Sequence, residues 1–402
     1  MPKDDINYSF TENGIVYDFY DVFVPAENFR QPSLFTWGSS NASGQVFPLL
    51  GVPDNITRSI PSTTFAGGTN WKQVSTGYNH TAAIKNDGSL WTWGWNDVGQ
   101  LGNNKIGYPA NSVSTPITTF AGGNNWKQVS VTRGGTYAIK TDGTLWVWGS
   151  NNFGSLGIND NSNFTTKNTP VTTFVGGTNW KQVSSTTAIK TDGSLWVWGY
   201  NAFGQLGTNN TNEARVPVTT FIGGNDWKIV GGGYRHRTAI KNDGSLWVWG
   251  NNAQGQLGVN DTTNRLIPVT TFAGGNDWKT IGNLSGSTEA TAAVKTDGTL
   301  WVWGQGRRIG VNNTSNILTP VTTSVGGTNW KSASIGKTNM AAIKTDGSLW
   351  VTGENSLLYG NNNNQTSFNL LPAAGGTSNW KQVSLSPGSA EFIGGIRYQP
   401  DP

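Results

Sequence analysis

The stretch Asp-Gly-x-Leu-Trp-x-Trp-Gly constrains this chain more than any other feature. It occurs at residues 87–94, 142–149, 192–199, 243–250 and 297–304, and at 346–353 with Thr in place of the second Trp. A related stretch, Ser33-Leu34-Phe35-Thr36-Trp37-Gly38, lies far upstream. Asp-Gly between two apolar runs is a hairpin signal, because a two-residue turn wants positive φ at both central positions. The flanking runs are short, alternate in polarity and end in Gly, Asn, Asp or Pro, so they read as strands. Another Trp opens each unit, at positions 71, 126, 180, 227, 278, 330 and 380. Their spacing of 47 to 55 residues suits a propeller blade and not a helical repeat.

Each unit supplies four strands. Strand A is Trp-Lys-x-Val, strand B ends Ala-Ile-Lys, strand C is Leu-Trp-x-Trp, and strand D is Pro-Val-Thr-Thr-Phe, as at 217–221 and 268–272. The Pro of strand D suits an outer edge, where a missing N–H harms no ladder. The seventh unit is split. After Trp380 the chain supplies an A strand and a B-like segment, 391–397, but no Asp-Gly turn and no C strand. The missing C and D strands are 34–38 and 61–65. The expected fold is all-β: a seven-bladed β-propeller over 34–402, closed by a blade with C and D from the N-terminal side and A and B from the C-terminal side. Such closure removes open sheet edges. The C-strand tryptophans, Trp91, Trp93, Trp146, Trp148, Trp196, Trp198, Trp247, Trp249, Trp301 and Trp303, are expected to fill the space between blades. Burying one such side chain contributes on the order of 2–3 kcal/mol.

Residues 1–33 precede the repeats and read as an N-terminal extended arm. Tyr17, Phe19, Tyr20 and Phe23 make its aromatic segment a candidate docking element, since an unpaired strand invites pairing. The chain has no Cys and two His, and no phosphate loop, zinc-protease helix or serine elbow, so no enzyme, metal or cofactor is expected. It has no apolar window long enough to span a membrane. The net charge of +4 is spread around the repeats. The arm carries Lys3 and Arg30 against six acidic residues, so no nucleic-acid partner is expected. One irregularity carries charge. Arg235-His236-Arg237 lies in an A–B loop and Arg307-Arg308 in the next unit's C–D loop, and alternation of strands brings both loops to one rim. These five residues form a candidate partner-binding patch for an anionic surface. Asn-rich loops such as 361–364 offer amides to a cell-surface glycan.

The run Ala-Ile-Lys-x-Asp-Gly-x-Leu-Trp-x-Trp-Gly-x-Asn-x-x-Gly-Gln-Leu-Gly resembles the repeat of the regulator of chromosome condensation family. Its last part is complete at 96–102, 201–207 and 252–258, and a further copy ending at Gly157 has Ser for Gln. Gly-x-x-His before strand B, frequent in that family, stands at 77–80 and 233–236. The resemblance covers about 34–398 and implies a seven-bladed propeller. It also implies, for the founding member, guanine nucleotide exchange on the small GTPase Ran together with chromatin binding. The uniform, Asn-, Thr- and Gly-rich blades look instead like phage structural proteins built on this propeller. The reading preferred from the sequence is a non-enzymatic virion component, in a capsid, tail or fibre, that meets other particle proteins through the arm. The alternative is an intracellular, cytoplasmic interaction module or exchange factor.

Overall fold

A computed structural model divides the chain into two units, Met1–Gln31 and Pro32–Pro402. It describes residues 9–12, 15–18, 32–39, 41–42, 45–46, 49–54, 56–65, 69–107, 109–162, 164–284, 289–306, 309–353, 359, 367–373, 378–387 and 392–398. In the first unit, Ser9–Glu12 pairs antiparallel with Ile15–Asp18. Tyr17 therefore lies in a hairpin, opposite Phe10, and not in an unpaired strand. Phe19, Tyr20 and Phe23 lie outside the described residues.

The second unit is a propeller of seven antiparallel sheets. Blade 1 consists of Trp71–Thr76, His80–Lys85, Leu90–Gly94 and Val113–Thr118, strands A to D in order. Blades 2 to 6 open at Trp126, Trp180, Trp227, Trp278 and Trp330. Blade 7 runs Trp380–Leu385, Phe392–Tyr398, Pro32–Gly38, Arg58–Thr63, so segments from the two ends of the sequence complete one sheet. The A strands of all seven blades line a central channel of about 270 Å³.

Glutamine side chains tie neighbouring A strands together. Gln73 donates to the carbonyl of Val129 and accepts from its N–H, both at 2.9 Å. Gln128 does the same with Val183, Gln182 with Val230, and Gln382 with Val74 across the ring closure. An amide has the donor and acceptor of a peptide group, so each Gln satisfies strand groups that the twist between blades would leave unpaired. Blades 4, 5 and 6 have Ile229, Thr280 and Ser332 at this position. Between blades 5 and 6 a short parallel backbone pair, Asn283–Leu284 with Ser334 and Ile335, adds a fifth strand.

The Asp-Gly turns differ from the two-residue hairpin expected. Gly88 has φ of +83°, whereas Asp87 does not enter the positive-φ region. The chain turns by a Gly88 N–H to Lys85 carbonyl bond, and Asp87 Oδ1 accepts from both the N–H and the hydroxyl of Ser89. The Ser89 hydroxyl in turn accepts from Trp91 Nε1 at 2.9 Å. A Cβ on Gly88 would stand 2.1 Å from the Asn124 carbonyl oxygen, where the next blade begins, so glycine serves both the turn and a close backbone approach. The same Asp, Ser/Thr, Trp relay recurs at 142–146, 192–196, 243–247 and 297–301. These donated hydrogen bonds hold the aspartates below the ordinary carboxylate range.

The C-strand tryptophans divide into two sets. Trp93, Trp148, Trp198, Trp249 and Trp303 are fully buried, as expected. Trp91, Trp146, Trp196, Trp247 and Trp301 are only partly buried. Beside each of these the Lys that ends strand B lies over two rings; Lys85 Nζ is 4.9 Å from the Trp71 centroid and 4.8 Å from that of Trp91. The ammonium itself lies over both indoles, a cation–π contact. Strand D also departs from expectation. Ala214–Thr219 and Arg265–Thr270 begin before the Pro, and a register shift places the Pro in a bulge of strand D, opposite Trp198 or Trp249. Phe221 and Phe272 fall beyond the strand and are 62% and 65% exposed.

Candidate functional site: a cavity on the irregular rim

The second Trp of strand C holds the preceding blade's C–D loop. Trp148 Nε1 donates to the Gln100 carbonyl, Trp198 to Ser155, Trp249 to Gln205 and Trp303 to Gln256. Within each loop an Asn side chain accepts from the Leu N–H, as Asn96 does from Leu101 at 3.1 Å. This explains Asn-x-x-Gly-Gln-Leu-Gly as a self-capped loop with a buried Leu. Blade 5 lacks that sequence between strands C and D, and blade 6 correspondingly has Thr352, not Trp, at the contacting position.

The same rim bears the A–B loops. His80 and His236 end two of them, and both are fully buried. His80 Nε2 meets Thr136 Oγ1 at 2.8 Å, and His236 Nε2 meets Thr291 Oγ1 at 3.0 Å, each on the next blade. Each threonine hydroxyl also reaches a loop carbonyl, that of Gln100 or Gln256. Both imidazoles are lowered to about 3, His80 by burial and His236 by burial together with the neighbouring Arg237 charge. They are structural bridges between blades, kept neutral at ordinary pH.

The expected surface patch is therefore smaller than its sequence. Arg235 is exposed, 4.0 Å from Glu289 and 5.2 Å from the Phe203 centroid. His236 and Arg237 are buried and cannot act as surface contacts. Arg307, Arg308 and the 361–364 loop lie outside the described residues.

Arg237 turns inward because of a deletion one blade away. Strand A's Trp pairs with strand B's Lys as 71 with 85 in blade 1, but as 180 with 190 in blade 3, four residues shorter. Blade 3 turns tightly at Ser185, whose φ is +55°. Neighbouring side chains enter the vacated space. From blade 4, Arg237 Nε donates to Thr187 Oγ1 at 2.8 Å and Nη2 to Thr186 Oγ1 at 2.7 Å. Its Nη1 donates to the carbonyls of Gly233 and His236. From blade 2, Tyr137 fills the other side and donates to the Ser155 carbonyl. The counterparts of Arg237 in blades 1, 2 and 5 are Thr81, Thr136 and Thr291; those of Tyr137 in blades 1 and 5 are Ala82 and Ala292.

What remains is a cavity of about 470 Å³ on this rim. Its walls include Trp95, Tyr137, Phe153, Tyr200 and Tyr234, with Arg133 and Arg237. Tyr200 stacks on Tyr234 at 5.8 Å and tilts against Phe153 at 4.8 Å, joining loops of blades 2, 3 and 4. Burial pushes the Tyr137 phenol up to about 12 and brings the Arg237 guanidinium down to about 10. At neutral pH Arg237 remains a cation, and no carboxylate lies within ion-pair distance of it among the described residues. Sequence reasoning missed this site, although the short Trp180-to-Lys190 span was visible. No group of three or more His, Asp or Glu able to hold a metal occurs among the described residues, and no described helix is long and apolar enough to cross a membrane.

The profile of the RCC1-like domain matches residues 33–390. The chain belongs to the RCC1-like domain family. Among curated relatives, the Arabidopsis thaliana ultraviolet-B receptor UVR8 is 30% identical over 62% of this chain and 45% of its own length. The mitochondrial RCC1 domain-containing protein RUG3 of the same plant is 27% identical over 72% of this chain and 54% of its own. This RCC1-like chain thus spans about half the length of either relative. Yeast RCC1 (Prp20), crystallised with Kap60, superimposes with a TM-score of 0.76 at 18% identity, over 92% of this chain and 90% of that one. Human WBSCR16 gives 0.76 at 19%, over 91% and 100%. Both structures share the fold of the RCC1-like domain described here.

Proposed function

We propose that this RCC1-like propeller is a non-enzymatic protein-interaction module that meets its partner with the rim of A–B and C–D loops. One observation carries the reading: strands and Asp-Gly turns repeat from blade to blade, whereas this rim changes in loop length and presents the Phe153, Tyr200, Phe203 and Tyr234 cluster. Rings with a polar edge on a rigid scaffold suit a protein interface. Two crystal structures of one relative lend support: yeast RCC1 (Prp20) was solved bound to Kap60, and Prp20p was solved and described with its binding properties to Gsp1p and histones. These similarities favour the interaction-module alternative over the virion reading. The ligase name of human HERC5 belongs to a protein of which this chain matches 12%.

The test is proximity labelling in the native host with wild type and a Phe153→Ser/Tyr200→Ser/Tyr234→Ser variant. Loss of specific neighbours in the folded variant is the expected result. An unchanged set of neighbours rejects the rim as the interface. Stimulated release of labelled GDP from a small GTPase would narrow the module to an exchange factor.

A further inference from the structure

We propose that the cavity spanning blades 2 to 4 is a binding site for a small aromatic carboxylate, with the acid group at Arg237 and the ring against Tyr200 and Tyr234. This goes beyond a protein interface, because the site is a concave chamber reaching a buried cation. A guanidinium has five N–H donors. Arg237 uses one on Nε, two on Nη1 and one on Nη2, so one Nη2 N–H has no acceptor among the described residues. The side chain is 2% exposed and borders the cavity. Its acceptors are hydroxyl and carbonyl oxygens, which orient a guanidinium without neutralising it. A buried cation lacking a counter-charge is unfavourable, and an incoming anion relieves it.

The remaining lining fits the rest of such a ligand. A volume of about 470 Å³ lies within the usual range for small-molecule sites. Rings from three blades offer faces and edges for stacking. Arg133, held over the Tyr78 ring at 5.2 Å, adds a second cation near the mouth. Asp97 is the one acid among the lining residues; it accepts from Gln100 Nε2 at 2.7 Å within its own loop. The chamber exists because blade 3 lacks the loop that fills this place elsewhere.

Calorimetric titration of the full chain with 1-naphthoate and with its neutral amide, 1-naphthamide, tests the site. The acid is expected to bind at least about tenfold more tightly, reflecting a hydrogen bond to a charged donor. Arg237→Thr, which restores the residue type of blades 1, 2 and 5, should remove that preference. Tyr234→Ala, at an exposed position, should weaken acid and amide alike. Equal binding of acid and amide by wild type overturns the proposal. So does the absence of acid binding at about 1 mM, or a folded Arg237→Thr variant that keeps the preference. Should Arg237→Thr not fold, a chain with residues 77–80 copied in after Ser185 decides. That insertion fills the chamber, so loss of naphthoate binding supports the site and retention overturns it.

Discussion

Blades 1 and 3 are built from the same four strands and differ in their rim loops, the A–B loop and the C–D loop each being four residues shorter in blade 3. In both, a Gln on strand A bridges to the next blade, an Asp-Ser-Trp relay closes the B–C turn, and a Lys covers two indoles. Blade 1 then spends a full A–B loop on placing His80 against Thr136. Blade 3 turns at Ser185, and its neighbours send Arg237 and Tyr137 into the gap. The blade frame therefore does not depend on that loop. Adhesion between blades comes from strands, indoles and amides, and the rim is left to vary.

The largest effect should come from the shared frame. Trp148→Ala removes a fully buried indole and its bond to Gln100, and should cost about 3–5 kcal/mol in reversible denaturant melts. A loss below about 1 kcal/mol would mean that the ring is not core. Acid should act next, and only through blades with a histidine loop. His80 and His236 are held near 3 by burial, against an ordinary value of 6.5. The unfolded chain then binds protons that the folded one does not, so their contribution is complete above 6.5 and falls as pH drops toward 3. Between pH 7 and 5 each should cost about 2 kcal/mol. The relay aspartates, shifted downward, titrate below this window. A His80→Gln/His236→Gln chain should show a flatter pH profile in urea melts, and an equally steep one would place the proton uptake elsewhere.

Smaller effects sharpen the same contrast. Ser194→Ala in blade 3 breaks the relay between Asp192 and Trp196 and should cost about 1 kcal/mol, as its counterpart Ser89→Ala should in blade 1. Unequal losses would show that the short loop weakens its own blade. Phe221→Ser exchanges an exposed ring for the residue type that blade 5 has at Ser324, and should change the melting midpoint by less than about 0.5 kcal/mol equivalent. A larger loss would assign those outlying rings a part in the frame.

The propeller was legible because its causes are local and repeated. Each Trp and each Asp-Gly recurs with the same neighbours, and the complementary segments 34–38 and 391–397 meet as Leu34 with Ile396. The turn type was less legible, since a carboxylate tied to Ser89 holds Asp87 where a bare Asp-Gly rule expects positive φ. The site was barely legible. Topology places Arg237 on the rim correctly, but its burial is decided by residues missing from another blade. Tyr137 and Tyr200 looked like ordinary variation for the same reason: their role depends on a space that lies between repeats.

The shared seventh blade also sets an order in time. Gly38 can take its partner Phe392 only after the ribosome has made nearly the whole propeller. At about 5–20 residues per second that takes roughly 20–70 s. Throughout synthesis the Pro32–Gly38 strand carries an unclaimed hydrogen-bonding edge, including Leu34 and Trp37, which end fully buried. Between the start of translation and ring closure, that edge is where a nascent chain of this protein is most open to pairing with another copy or to a chaperone.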